Sequence, residues 1–227
     1  MYDRQHTYEE VEQIETGIQW VLSVWRKTFG TAPASKLVFL DTETTGLKPA
    51  PDAAEIIEIA MVTEYPDGRV ERWVSKVAPQ HIETAHPKAL EVNGFTPEAW
   101  EGAPAFTEIA DTVIEKLSGA TVVGHNVGFD LKFVRAALDE VGAGEITDLS
   151  FIDTQTLAKE HLKPLGLKSV SLVNIRRWFG WSIEGAHTAM ADTEDCRRLY
   201  HKLKNPRPYQ KRMWSWLGPP RMKASRR

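Results

Sequence analysis

The sequence predicts an α/β fold in which a mixed central sheet is covered by helices. Three observations carry that expectation. Three segments rich in apolar residues follow one another between Leu37 and Val77. Beyond Phe106, amphipathic helical stripes alternate with short apolar runs. A chain of 227 residues, 42% hydrophobic and 26% charged, has the composition of a soluble globular protein and can bury a sizeable core. Strands that come first as neighbours and then alternate with helices suit one sheet of mixed direction.

In chain order, residues 8 to 29 read as an amphipathic helix. Val11, Ile14, Ile18, Val21, Leu22 and Trp25 recur at three- and four-residue spacings, and Gly30 and Pro33 stop it. The unbroken apolar run Leu37 to Leu40 reads as a strand buried on both faces. Strands over 56–64 and 69–77 follow, joined at Tyr65-Pro66-Asp67-Gly68, whose Asp-Gly pair is a hairpin signal. Phe106, Ile109, Ala110, Val113, Ile114 and Leu117 form one helical stripe. A short strand over 121–123 leads into a helix over 129–141, and 151–153 reads as another short strand. Helices near 154–162, 169–179 and 188–203 complete the body. This divides the chain into an N-terminal helical arm, 1–35, a body, 36–203, and a C-terminal tail, 204–227.

The net charge of −3 hides an asymmetry. From His201 to Arg227 there are nine basic residues and no acidic one, which leaves nineteen basic against thirty-one acidic residues, or −12, in the rest of the chain. Cys196 is the only cysteine, which excludes an internal disulfide and a Cys-based zinc knuckle. The N-terminus lacks the order of a signal peptide, and no apolar run approaches the roughly 18 residues of a membrane helix. The expected location is the cytoplasm, with no membrane partner.

Four carboxylates stand where solvation alone does not explain them. Asp41 and Glu43 come directly off the Leu37 to Leu40 strand, and their spacing of two puts both side chains on one face. Asp130 shares a helical stripe with Phe133, Val134, Ala137 and Val141. A helix N-cap is the bland reading of Asp130, but a cap has no need of an apolar stripe behind it. Asp192 heads a second stripe, with Cys196, Leu199 and Leu203. Two helices thus aim a carboxylate inward from their N-terminal ends. Crowded, poorly solvated carboxylates call for a cation among them. An all-oxygen cluster suits Mg2+ or Mn2+, and two such ions would clamp the attacking and leaving oxygens of a phosphoryl displacement. His187 lies five residues before Asp192, about 140° away on an ideal helix, and is expected on the preceding loop near the ions. Its unperturbed pKa of about 6.5 suits removing a proton from the attacking water.

Between Lys36 and about Leu203 the chain resembles the DEDDh-type 3′→5′ exonucleases, the DnaQ-like proofreading type of the ribonuclease H-like fold. The resemblance rests on three motifs. These are Val38-Phe39-Leu40-Asp41-Thr42-Glu43-Thr44-Thr45-Gly46-Leu47, Gly124-His125-Asn126-Val127-Gly128-Phe129-Asp130 and His187-Thr188-Ala189-Met190-Ala191-Asp192. The histidine five residues before the last aspartate matches the DEDDh branch. The resemblance implies that Asp41, Glu43 and Asp192 hold a first Mg2+ or Mn2+ ion. Asp41 bridges to a second, which Asp130 supports, and His187 is the general base. It also implies that Thr44, Gly46 and Leu47 grip the terminal nucleotide, Leu47 as an apolar wedge under the last base, and that Asn126 and Phe129 meet its neighbour. The implied reaction releases nucleoside 5′-monophosphates from a 3′ end, with single-stranded DNA as the first choice of substrate and RNA as the alternative.

The resemblance leaves the arm and the tail uncovered. The tail has three readings: a solvated terminus, a tether for the phosphate backbone with Trp214 and Trp216 as stacking platforms, or a partner motif. Gln210-Lys211-Arg212-Met213-Trp214 loosely resembles a sliding-clamp-binding pentapeptide, so the segment Gln210 to Trp216 is a candidate contact for a clamp or polymerase. A non-catalytic nucleic-acid-binding module is the competing class. An intact carboxylate cluster, which repels phosphate without metal, speaks against it.

Overall fold

The computed structural model describes residues 35–49, 54–182 and 188–204. The helix expected over 8–29, His187 and the tail segment Gln210 to Trp216 lie outside the described residues. The described residues from Lys36 to Lys204 belong to one unit.

Five strands form a single sheet: β1 (Leu37–Thr44), β2 (Ile56–Glu64), β3 (Val70–Lys76), β4 (Thr121–Gly124) and β5 (Ser150–Asp153). Their spatial order is β3-β2-β1-β4-β5. β1, β2 and β3 run antiparallel through hairpin-type pairing, while β4 and β5 run parallel to β1. The mixed sheet expected from the order of the elements is therefore present. Six described helices complete the unit: α1 (Pro87–Val92), α2 (Phe106–Leu117), α3 (Val127–Glu140), α4 (Thr154–His161), α5 (Leu172–Phe179) and α6 (Ala189–Leu203).

The period of two along the central strands divides the core. Val38 and Leu40 of β1, with Ile59, Met61 and Val122, pack under α2 and α3 against Ile109, Val113, Leu131 and Val134. Phe39, Val62 and Val123 face the opposite side, against Cys196 and Tyr200 of α6. A third cluster joins α4, α5 and the far end of α6 through Ala158, Leu162, Ile175, Leu199 and Leu203. Burial on both faces explains why β1 begins as an unbroken apolar run.

Two differences from the expected elements bear on function. β1 extends to Thr44, so Asp41 and Glu43 are strand residues and do not follow the strand's end. Continued pairing with β2, Asp41 opposite Ala60 and Glu43 opposite Glu58, keeps the backbone extended beyond the apolar run. Helix α1 falls in a Pro- and Gly-containing stretch that reads as loop. Pro87 at its first position and the His86 ring, which accepts the Lys88 N–H, start a helix only six residues long, too short to show a stripe.

Candidate active site

β1 builds the centre of the site. Alternation turns Thr42 toward the α3 side, whereas Asp41 and Glu43 share the face of Phe39, on the α6 side. The register shifts immediately after Glu43, an irregularity of the kind that re-aims side chains at a strand's end.

Asp41, Glu43 and Asp192 each bring a carboxylate oxygen within 4.8 Å of the others. Asp192 lies in the first turn of α6, whose N-cap Thr188 side chain accepts the Ala191 N–H. Asp130 lies in the first turn of α3, buried, and arrives at β1 from the other face. Its Oδ1 accepts both the Thr42 backbone N–H, at 3.0 Å, and the Thr42 hydroxyl, at 2.8 Å. Asp130 therefore binds a strand residue across 88 positions of sequence as well as its own backbone N–H in the first turn of the helix. Thr42, bracketed by two metal-type carboxylates, carries no sequence signal for this role beyond its place in the motif.

The electrostatics are those of crowded anions withdrawn from water. Burial, reinforced by Asp130, Asp192, Glu43 and Glu58, raises Asp41 well above the usual carboxylate range. Glu43 is pushed up to about 7, first by burial and then by Asp192, Glu58 and Asp130. Burial also lifts Asp130 to about 7 against the opposing pull of its two Thr42 bonds. Hard oxygen donors held close enough to raise one another's pKa fit a divalent cation, which would relieve the repulsion and favour their ionised forms. Asp41, Glu43 and Asp192 are the residues that could hold one, with Asp130 beside Asp41. The cluster thus brings together four of the five residues expected at the centre of the site. The fifth, His187, lies outside the described residues.

Three further groups stand at the site, and only one of them, His125, lies within one of the three motifs. Glu58 stands opposite Glu43 on β2, and its carboxylate accepts the backbone N–H of Ala189, the first residue of α6. Arg176 of α5 donates from Nη2 to Asp192 Oδ1 at 2.5 Å and from Nε to Asp195 Oδ2. Among the described residues it is the cationic side chain that contacts the cluster. His125 uses both ring nitrogens, Nδ1 with the Thr154 hydroxyl and Nε2 with the Val170 carbonyl, and burial pushes its pKa down. Non-local contacts of this kind have no periodicity to reveal them.

The residues expected to meet nucleotides are spread along the same edge. Thr44 is buried, and its hydroxyl donates to the Gly46 carbonyl at 2.7 Å. The turn is bolted in place from outside: Thr45 exchanges hydrogen bonds with the Glu55 backbone, His86 N–H donates to the Thr45 carbonyl, and Asn93 Nδ2 donates to the Thr44 carbonyl. A Cβ on Gly46 would meet the Ala54 Cβ at 3.0 Å. Leu47, which follows this braced turn, is 85% exposed. Asn126 is exposed and adopts a left-handed φ of 76° as the N-cap of α3, with its N–H on Asp153 Oδ1. Phe129 is partly buried, its ring 4.8 Å from that of Phe133.

A second group with metal-type spacing is Glu55, His81 and Glu140. Both Glu55 oxygens already accept backbone N–H groups, from Gln80 and His81. Glu55 therefore serves as a loop clamp.

Comparison with known proteins agrees with this geometry. The chain is 30% identical over 181 residues to DNA polymerase III subunit epsilon of Treponema pallidum, a match covering 80% of this chain and 79% of that protein. It is 33% identical over 173 residues to DNA polymerase III PolC-type of Thermotoga maritima, covering 76% of this chain but only 12% of that much longer polypeptide. Among solved structures, E. coli Exonuclease I in complex with a dT13 oligonucleotide superposes with a TM-score of 0.64 at 22% identity, over 77% of this chain and 42% of that one. That likeness supports the ribonuclease H-like fold. Residues 38–200 match the family model described as Exonuclease, a span that contains every carboxylate of the cluster, and the chain belongs to that exonuclease family.

Proposed function

We propose that this protein is a metal-dependent 3′→5′ exonuclease that hydrolyses the terminal phosphodiester of DNA, mainly single-stranded, and releases nucleoside 5′-monophosphates. The observation that carries the proposal is the convergence of Asp41, Glu43 and Asp192 within 4.8 Å, with Asp130 hydrogen-bonded to the intervening Thr42. DNA as substrate is supported by relatives named as DNA polymerase III subunits and by a structural neighbour bound to dT13.

Asp41, Glu43 and Asp192 would hold a first Mg2+ or Mn2+ ion, and Asp41 with Asp130 a second. When bound, such ions supply charge stabilisation to the attacking and leaving oxygens of an in-line displacement. His187 is the proposed general base, taking the proton of the attacking water. The exposed Leu47 is available to stand against the terminal base, and the braced backbone from Thr44 to Gly46 would hold its sugar and phosphate in register. Asn126 and Phe129, at the start of α3, are the proposed contacts of the adjoining nucleotide. The basic tail is proposed to track the phosphate backbone, and Gln210 to Trp216 to contact a polymerase or sliding clamp. On this reading the protein works in the cytoplasm, in replication or repair.

The test is degradation of matched DNA and RNA oligonucleotides, single-stranded, duplex and mismatched, with Mg2+ or Mn2+. Wild type shortens single-stranded DNA from its 3′ end, and Asp41→Ala and His187→Ala lose at least about 100-fold in rate, as expected for an electrostatic and a general-base contribution. Variants as fast as wild type overturn the assignment. Preferential degradation of RNA overturns the substrate.

A further inference from the structure

We propose that Arg176 is a positioning residue for Asp192: it fixes one oxygen of that carboxylate so that the other is presented to a divalent cation. The inference rests on the metal-site reading above. Arg176 sits in the last turn of α5 and is 1% exposed, as buried as the neighbouring Ile175 that helps join α5 to α6. Its guanidinium reaches two carboxylates one turn apart on α6, Asp192 through Nη2 and Asp195 through Nε.

Stability alone gives a poor account of this arrangement. A buried ion pair is often replaced by well-packed apolar residues at no loss, because the desolvation of both charges offsets their attraction. Here the cost is higher still, since Nη1 is buried with no hydrogen-bond partner among the described residues. A leucine or methionine would suit a position this buried. A guanidinium suits one thing better, the rigid orientation of a carboxylate through a planar donor.

The partners then indicate what is oriented. Asp192 Oδ1 is taken by Nη2, which leaves Oδ2 as the oxygen that the guanidinium does not engage. Asp192 is also the only one of the three converging carboxylates that comes from a helix packed across the sheet and not from β1 itself. Its position relative to Asp41 and Glu43 therefore depends on tertiary contacts, and Arg176 ties it to a second helix. Asp195 completes the device. A lone guanidinium beside the cluster would repel an incoming cation, but Arg176 with Asp195 is a neutral unit that orients Asp192 without adding net charge. Partners of metal ligands that act in this way typically contribute about 10- to 100-fold to metal affinity.

The test uses the full chain without nucleic acid and measures Mn2+ binding by calorimetry for wild type, Arg176→Met/Asp195→Asn, Arg176→Lys and Asp41→Asn. The double variant removes one positive and one negative charge together, so its effect reports orientation and not field. Its Kd for Mn2+ is expected to rise about tenfold. Arg176→Lys keeps the charge but replaces the fork by a single ammonium, and is expected to show a smaller rise, about threefold. The Mn2+ concentration giving half-maximal exonuclease rate should move by the same factors while the rate at saturating Mn2+ changes little. Mn2+ affinity within twofold of wild type in both Arg176 variants overturns the proposal, and if the double variant does not fold, Arg176→Lys alone decides it. Asp41→Asn separates the two readings. If it binds Mn2+ as tightly as wild type, or wild type binds none, the metal-site reading fails and this inference with it.

Discussion

Thr42 shows how much a single residue between two carboxylates can do. Its N–H and hydroxyl both end on Asp130 Oδ1, joining α3 to the centre of β1. Replacing it with valine keeps the shape and the backbone bond but removes the hydroxyl from a buried acceptor. Thr42→Val is expected to lower the unfolding free energy in urea by about 1–2 kcal/mol and to weaken exonuclease activity, whereas Thr42→Ser restores both. A loss under about 0.5 kcal/mol would show that the hydroxyl bond matters little. The carboxylates themselves predict a pH dependence. In the folded protein without metal, Asp41, Glu43 and Asp130 all sit above their unfolded values, Glu43 and Asp130 at about 7. The folded state therefore holds more protons than the unfolded one between roughly pH 4 and 7. Their contribution to stability is full below pH 4 and is lost as pH rises through 7. In EDTA the Tm attributable to this cluster should fall by about 5 °C or more from pH 5 to pH 8, and Asp41→Asn should flatten the fall. Saturating Mn2+ should reverse it, because the ion binds the deprotonated carboxylates. Equal slopes in wild type and Asp41→Asn would remove the cluster as its source.

At the scale of the element, the turn from β4 into α3 decides where Asp130 stands. A Cβ on Gly124 would lie 2.8 Å from the Val127 Cβ and 3.1 Å from its Cα, so the strand can pass into the helix this tightly only with glycine. Gly128, four residues on in the same motif, has nothing within 4 Å of its would-be Cβ. The two glycines therefore differ in kind. Gly124→Ala should cost about 1–3 kcal/mol of stability, through a shift of the first turn of α3 and its aspartate, and should reduce activity accordingly. Gly128→Ala should be neutral or stabilising by up to about 1 kcal/mol, since alanine has less chain entropy to lose in a helix. Denaturation of the two variants side by side checks this, and equal losses would refute it. The elements most legible in the sequence were those with a strong period. β2 (Ile56–Glu64) and α2 (Phe106–Leu117) match their expected bounds, and α6 begins within a residue of its own. Those less legible were held by contacts outside themselves. β1 runs four residues past its apolar segment because β2 pairs with it, and α1 exists in a stretch whose sequence reads as loop.

For the whole molecule, the near-neutral net charge of −3 resolves into an acidic body and a basic tail. The acidity of the body is in part the cluster that bound divalent ions would offset. If the tail tracks phosphates, each basic residue it places on a single strand steepens the salt dependence of binding, with a logarithmic slope of about −0.7 per neutralised phosphate. Deleting residues 205–227, which carry seven lysines and arginines, should flatten that slope by two or more for a long single strand while leaving cleavage of a very short oligonucleotide nearly unchanged. An unchanged slope would dismiss the tether. By itself the sequence determined the fold class, the order of most elements, and the four carboxylates of the cluster, because hydrophobic period and a charge set into an apolar stripe are local signals. Only the tertiary structure decided that Asp130 is anchored by Thr42 across the sheet, that Glu58 stands opposite Glu43, and that Arg176 touches Asp192. These are meetings of side chains far apart in the chain, and no spacing along it records which of them the packing of α3, α5 and α6 on the sheet will bring together.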